Sequence, residues 1–142
     1  MAKDTFDIVT DVIGLINTPE VLALLSGGRI DPSVKTTGPE VRGIVVNALG
    51  ITNSSEQKGA GNVNCYVPAI ISTINGKSVS LPNQQVLSTL AKVIKPLIDG
   101  QRMPHFESWV DEMPILLKDT DGSYFVNIAF SYQASQNNFK NI

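Results

Sequence analysis

Residues 81–98, LPNQQVLSTLAKVIKPLI, decide the fold. Pro82 stands near the start of this stretch. Val86, Leu90, Val93 with Ile94, and Leu97 then recur at helical spacing, making a broad apolar stripe that ends before Gly100. Strand-like segments lie on both sides of it, so the helix is expected to cover a sheet drawn from both halves of the chain. Pro96 falls in the last turn, where it should loosen the helix rather than abolish it.

C-terminal to this helix, residues 106–118 and 123–133 flank Asp119-Thr120-Asp121-Gly122, whose chemistry suits a tight hairpin turn. In the second arm Tyr124, Val126, Ile128, Phe130 and Tyr132 alternate with Phe125, Asn127, Ala129, Ser131 and Gln133. This is the clearest period-two pattern in the chain, and it predicts one face under the helices and a second, mixed face.

On the N-terminal side, residues 41–52 are β-branched and apolar on both faces, as in a central strand. Residues 53–61 (NSSEQKGAG) read as an extended, flexible hairpin loop. Strand character resumes over 62–73, with Val63, Cys65 and Val67 on one face; Pro68 there argues for an edge or a bulge. Asn75-Gly76 is a strong turn signal.

Two helices open the chain. Asp4 is the expected N-cap of the first, with Phe6, Val9, Ile13 and Ile16 toward the core. Thr18 caps the second, Pro19 takes its first position, and Gly27-Gly28 ends it. Residues 29–40 carry two prolines and few apolar side chains, so after a short strand at 29–31 they should form an exposed arm. The expected architecture is α+β: a mainly antiparallel sheet with helices packed on one face. A single domain over 1–133 precedes a polar tail over 134–142.

At 142 residues the chain can bury roughly two thirds of its unfolded surface around one core. Its 17% of charged residues is low against about a quarter in soluble proteins, which points to surface covered in an oligomer. A net charge of −2 with dispersed Lys and Arg lacks the basic stripe that nucleic acid requires, so no direct nucleic-acid contact is expected. No run approaches about 18 apolar residues, and the N-terminal apolar run is broken by Asp4, Asp7 and Asp11, so neither a membrane span nor export is expected. The lone Cys65 has no partner for an internal disulfide; it reads as a small buried side chain in a reducing compartment.

Reactive groups do not converge in the sequence. His105 and Glu107 would share one side of a strand, but zinc needs three or four ligands and there is no second histidine. Asp111 and Glu112 point to opposite faces. Gly59-Ala60-Gly61 precedes a strand instead of opening a helix, unlike a dinucleotide fingerprint, and no G-x-S-x-G elbow occurs. The expectation is a non-enzymatic protein without cofactor or metal. The competing reading is a small ligand-binding domain or enzyme with a cleft near His105, Glu107 and Trp109.

In its order of elements the chain resembles the tail terminator and tail completion proteins of long-tailed bacteriophages, which act at the head-tail junction. The matching stretches are FDIVTDVIGLI, LALLSGGRI, VRGIVVNALGI, NVNCYVPAI, LPNQQVLSTLAKVIKPLI and YFVNIAFSY. This resemblance implies a homo-oligomeric ring, commonly sixfold, that caps the tail tube and docks on the head connector. Its partners would be copies of itself, the tail tube protein and head-tail connector proteins. It would occupy the bacterial cytoplasm during assembly and then the virion tail or neck of a phage or prophage. Ring contacts are expected where polar segments resist burial: Arg29, Asp31, Lys35 and Glu40 in the arm, Glu56, Gln57 and Lys58 in the loop, and Gln136 and Phe139 in the tail.

Overall fold

A computed structural model describes residues 2–135. The first helix, α1 (Thr5–Ile16), starts at a capping box in which the Asp4 carboxylate accepts from the Asp7 N–H and the Asp7 carboxylate accepts from the Asp4 N–H. Its buried residues are Ile8, Val9, Val12 and Ile16. Phe6, expected in the core, is 74% exposed, because the buried arc is centred on Ile8 and Val12 and leaves position 6 on its flank. The short α2 (Pro19–Leu24) begins with Thr18 as cap and Pro19 in its first turn, as the sequence predicts.

Strands β1 (Arg29–Pro32), β2 (Gly43–Ile51) and β3 (Glu56–Val67) follow. A ribbon of β4 (Ile70–Ile74) and β5 (Lys77–Leu81) turns at Asn75-Gly76, both with positive φ. After α3 (Gln84–Ile98) come β6 (Gln101–Arg102), β7 (Glu107–Val110), β8 (Ile115–Lys118) and β9 (Tyr124–Ser135). The main sheet runs β1-β2-β3-β9-β7-β6, with β8 also on β9; the ribbon is a separate two-stranded sheet.

The protein thus combines helices and strands, and its main sheet is mixed. β1 runs parallel to β2, while β2, β3, β9, β7, β6 and β8 pair antiparallel. The parallel pair arises because residues 33–42 carry the chain back to the start of β2 instead of turning tightly. Asp31, buried at 7% exposure, holds that return: its carboxylate accepts from the Thr36 N–H at 3.0 Å and hydroxyl at 2.8 Å, and pairs with Arg29.

The largest departure from expectation is at residues 53–61. Only 52–55 form a loop; Glu56 through Gly61 extend β3 and pair with β9, and Gly59 through Gly61 pair with β2 as well. Glycines read as a flexible loop here make room for large neighbours. A Cβ on Gly59 would stand 2.6 Å from Ile8 Cδ1, and one on Gly61 would stand 2.6 Å from Phe130 Cζ and 2.2 Å from the Asn47 carbonyl oxygen.

Three other boundaries move. Pro68 ends β3 and separates it from the ribbon, where one strand over 62–73 with an edge position or a bulge at Pro68 was expected. Residues 106–118 are broken between β7 and β8, where residues 111–114 bulge past Ile128 and Ala129 of β9. β9 continues through Ala134 and Ser135, two residues beyond the expected start of the tail.

The inner face of the sheet carries Ile44, Val46, Val63, Cys65, Val67, Val126, Ile128, Phe130 and Tyr132, which form one core with α1, α2 and α3. α3 contributes Leu87, Leu90, Ile94 and Ile98, so its stripe is rotated by one position at Leu87 from the expected Val86. Its end is fastened to β7 by the buried Ser108 hydroxyl, which donates to the Ile98 carbonyl at 2.7 Å.

Candidate functional site

The outer face of the sheet alternates with the core because side chains of a strand project with period two. Register places Asn47 beside Asn62, and Asn64 beside both Val45 and Asn127. The amides link up: Asn62 Nδ2 donates to Asn47 Oδ1 at 3.3 Å, and Asn127 Nδ2 donates to Asn62 Oδ1 at 3.0 Å and Asn64 Oδ1 at 2.7 Å. Around this amide centre stand Tyr66 and Phe125, whose ring centroids are 4.8 Å apart. Ile115 and Leu117 on β8 pair with Asn127 and Phe125, and Trp109 on β7 pairs with Ser131. All three are exposed apolar side chains. The face is therefore a polar strip bordered by an apolar one.

A second feature lies between α3 and β8. Leu87, Ala91, Pro96, Met113, Leu116 and Val126 wall an open groove of about 440 Å³, with Gln84 and Ser88 beside them. Among the described residues Lys92 and Lys95 are its only charged lining residues, and Asp111 and Glu112, just before Met113, are not in its wall. Among the described residues β8 pairs with β9 alone, and it is exposed along its whole length. An apolar edge strand of this kind is a template for pairing.

The ribbon is the third exposed apolar surface. Ile70, Ile74, Val79 and Leu81 share one of its faces by register, and Ile71 on the other is 69% exposed. Tyr124 Oη donates to the Ser80 carbonyl at 3.2 Å and anchors the base of the ribbon to β9.

The residues expected to make assembly contacts divide into two sets. Arg29, Glu40, Glu56 and Lys58 are exposed. Asp31, Lys35 and Gln57 are not available in that way, because their polar atoms are satisfied inside the chain. Gln57 is 1% exposed; it accepts from the Lys3 N–H at 2.8 Å and donates to the Lys3 and Thr52 carbonyls. Lys35 spans from the arm to the β8–β9 turn, 2.7 Å from Asp121 and 3.5 Å from Asp119, with its ammonium 4.3 Å from the centre of the Tyr66 ring. Gln136 and Phe139 lie outside the described residues.

Of the three residues expected around a cleft, two share one. His105 and Glu107 line a depression of about 120 Å³ with Glu56 and Gln133, whereas Trp109 is not part of its wall. Among the described residues, no three His, Cys, Asp or Glu side chains are grouped to hold a metal ion, and no helix is long and apolar enough to cross a membrane.

Burial pushes the Cys65 thiol up to about 12, so it is a protonated core side chain. Tyr132 is raised well above the usual phenol range, first by burial and then by its bond to Asp11. Burial would raise Asp121, but hydrogen bonds from Lys35 and Ser123 outweigh it and hold the carboxyl far below the usual range.

Sequence reasoning missed the groove, the free edge of β8 and the exposed Phe6. The groove joins α3 to β8 across the sheet and has no local signature; the run Met113-Pro114-Ile115-Leu116-Leu117 was the one available hint. No protein-family model matches this chain, and no curated protein matches it either.

Proposed function

We propose that this protein is a structural assembly subunit of a phage or prophage tail, which forms a ring of its own copies, caps the tail tube and joins it to the head connector. The observation that carries this reading is the presence of several distinct exposed apolar surfaces on one small domain: the ribbon with Ile70, Ile71 and Ile74, and the β8 edge with its neighbouring groove. Closing a ring by head-to-tail contacts requires two different patches per subunit, and further patches are then free for the tube below and the connector above. An isolated two-stranded ribbon is marginal by itself, so contact with a neighbour or a partner ring would order it.

The mechanism is geometric. Subunits add at the end of the tube, their projecting ribbon and outer sheet face engage it, and the completed ring presents a new surface to the connector. Sixfold symmetry follows the resemblance in element order and is part of the proposal.

Sedimentation velocity and negative-stain electron microscopy of the purified protein at micromolar concentration test it. A closed ring of uniform mass is expected. A strict monomer at every concentration, with or without tube protein, would remove the reading.

A further inference from the structure

We infer that the first turn of α1 in one copy docks into the α3–β8 groove of the next copy, Phe6 entering the groove and Asp4 and Asp7 facing Lys92 and Lys95. This rests on the self-assembly reading and names the contact that would build it.

The groove is apolar along Leu87, Ala91, Met113 and Leu116, and its charged lining is purely cationic. It therefore fits an apolar side chain carried by an acidic segment. The first turn of α1 has that composition. Phe6 is 74% exposed, a large aromatic left in water, and Asp4 and Asp7 flank it on the exposed helix end. Their capping bonds use one oxygen of each carboxylate and leave the second available to a lysine. Aromatic anchors entering a pocket supply most of the energy of many protein contacts.

Geometry makes this contact intermolecular and directional. α1 packs over β2 and β1, and Asp11 on one flank reaches Tyr132 of β9 at 2.6 Å. Phe6 is five positions from Asp11, roughly 140° around the helix at about 100° per residue, so it faces away from β9. The groove lies beyond β9 on the β8 side. Knob and socket thus sit toward opposite edges of the sheet, as head-to-tail addition requires and a two-fold contact does not.

The test uses the full chain, one knob variant and two socket variants. Phe6→Ser removes the knob, and Lys92→Glu with Lys95→Glu reverses the socket; Leu116→Lys is a second socket variant. Far-UV circular dichroism and thermal melts confirm folding. By sedimentation velocity each variant is expected to lose self-association by at least about tenfold in Kd. An equimolar mixture of the knob and socket variants should form a dimer that grows no further, because one intact junction remains. Self-association unchanged in any variant, or a mixture that stays monomeric, overturns this contact while ring formation by the wild type stands. A wild type that remains monomeric to roughly 100 µM, with and without tube protein, overturns both readings.

Discussion

Tyr132 on β9 donates its hydroxyl to Asp11 Oδ2 on α1 at 2.6 Å, and Lys3 Nζ approaches the same oxygen at 3.2 Å. One carboxylate thereby joins the central strand, the first helix and the segment before it. Lys3 is also held by Gln57, so the N-terminal segment is fastened to β3 as well.

Tyr132→Phe keeps the ring stacked on Phe106 but leaves the half-buried Asp11 with Lys3 alone. We expect a loss of about 1–3 kcal/mol, since the bond removed is to a charged acceptor. Urea denaturation followed by far-UV circular dichroism measures it, and an unchanged midpoint would show that the bond is not contributing.

Two glycine substitutions should move stability in opposite directions. Gly61→Ala drives a methyl against Phe130 and the Asn47 carbonyl and should cost about 1–3 kcal/mol. Gly14 lies inside α1 with nothing within 4 Å of an added Cβ, so Gly14→Ala should stabilise by about 0.5–1 kcal/mol. Thermal melts of the two variants side by side decide both signs.

The raised Cys65 thiol predicts an alkaline limb. The unfolded thiol titrates near about 8.5, and the folded one near about 12, so the unfolded state releases its proton first as pH rises. The associated stability is complete below about 8.5 and is lost as pH climbs toward 12. Cys65→Ala should make the stability-pH curve shallower in that window. A thiol reagent at neutral pH should label the native protein slowly and the guanidinium-unfolded protein fast; rapid native labelling would contradict a closed core at this position.

Asp121 acts at the other end of the scale. Its folded carboxyl is lowered, so its contribution is present above the unfolded value of about 3.9 and disappears as pH falls through the folded value. Lys35→Met should raise the Asp121 carboxyl toward the ordinary range and flatten the acid limb. Carbon-detected NMR titration of the side chain reads this directly, and an unmoved midpoint would exclude Lys35 as its partner.

Local chemistry marked the elements that depend on near neighbours. Thr18-Pro19, Asn75-Gly76 and residues 119–122 were legible because caps and tight turns are set within a few residues. β9 was legible from strict alternation, since one face meets the helices and the other the mixed outer surface. The segment from Glu56 to Gly61 was misread because its glycines and polar side chains answer to distant partners: Ile8, Phe130 and Lys3. Asp31 and Lys35 looked like surface charge for the same reason, as Thr36 and Asp121 complete them only in three dimensions. The candidate contact surfaces were hidden further, because α3 and β8 become neighbours only after β9 is in place.

β9 is the last of the described elements to leave the ribosome, yet it pairs with β3 along its entire length and separates β3 from β7 and β8. A nascent chain that has emerged only as far as α3 has helices with half a sheet to cover, and its inner apolar face stays open. Completion therefore comes late and abruptly, when residues 124–135 slide between two waiting edges. Until that moment the unfinished chain is the species most exposed to chaperones and to premature encounters with its own copies.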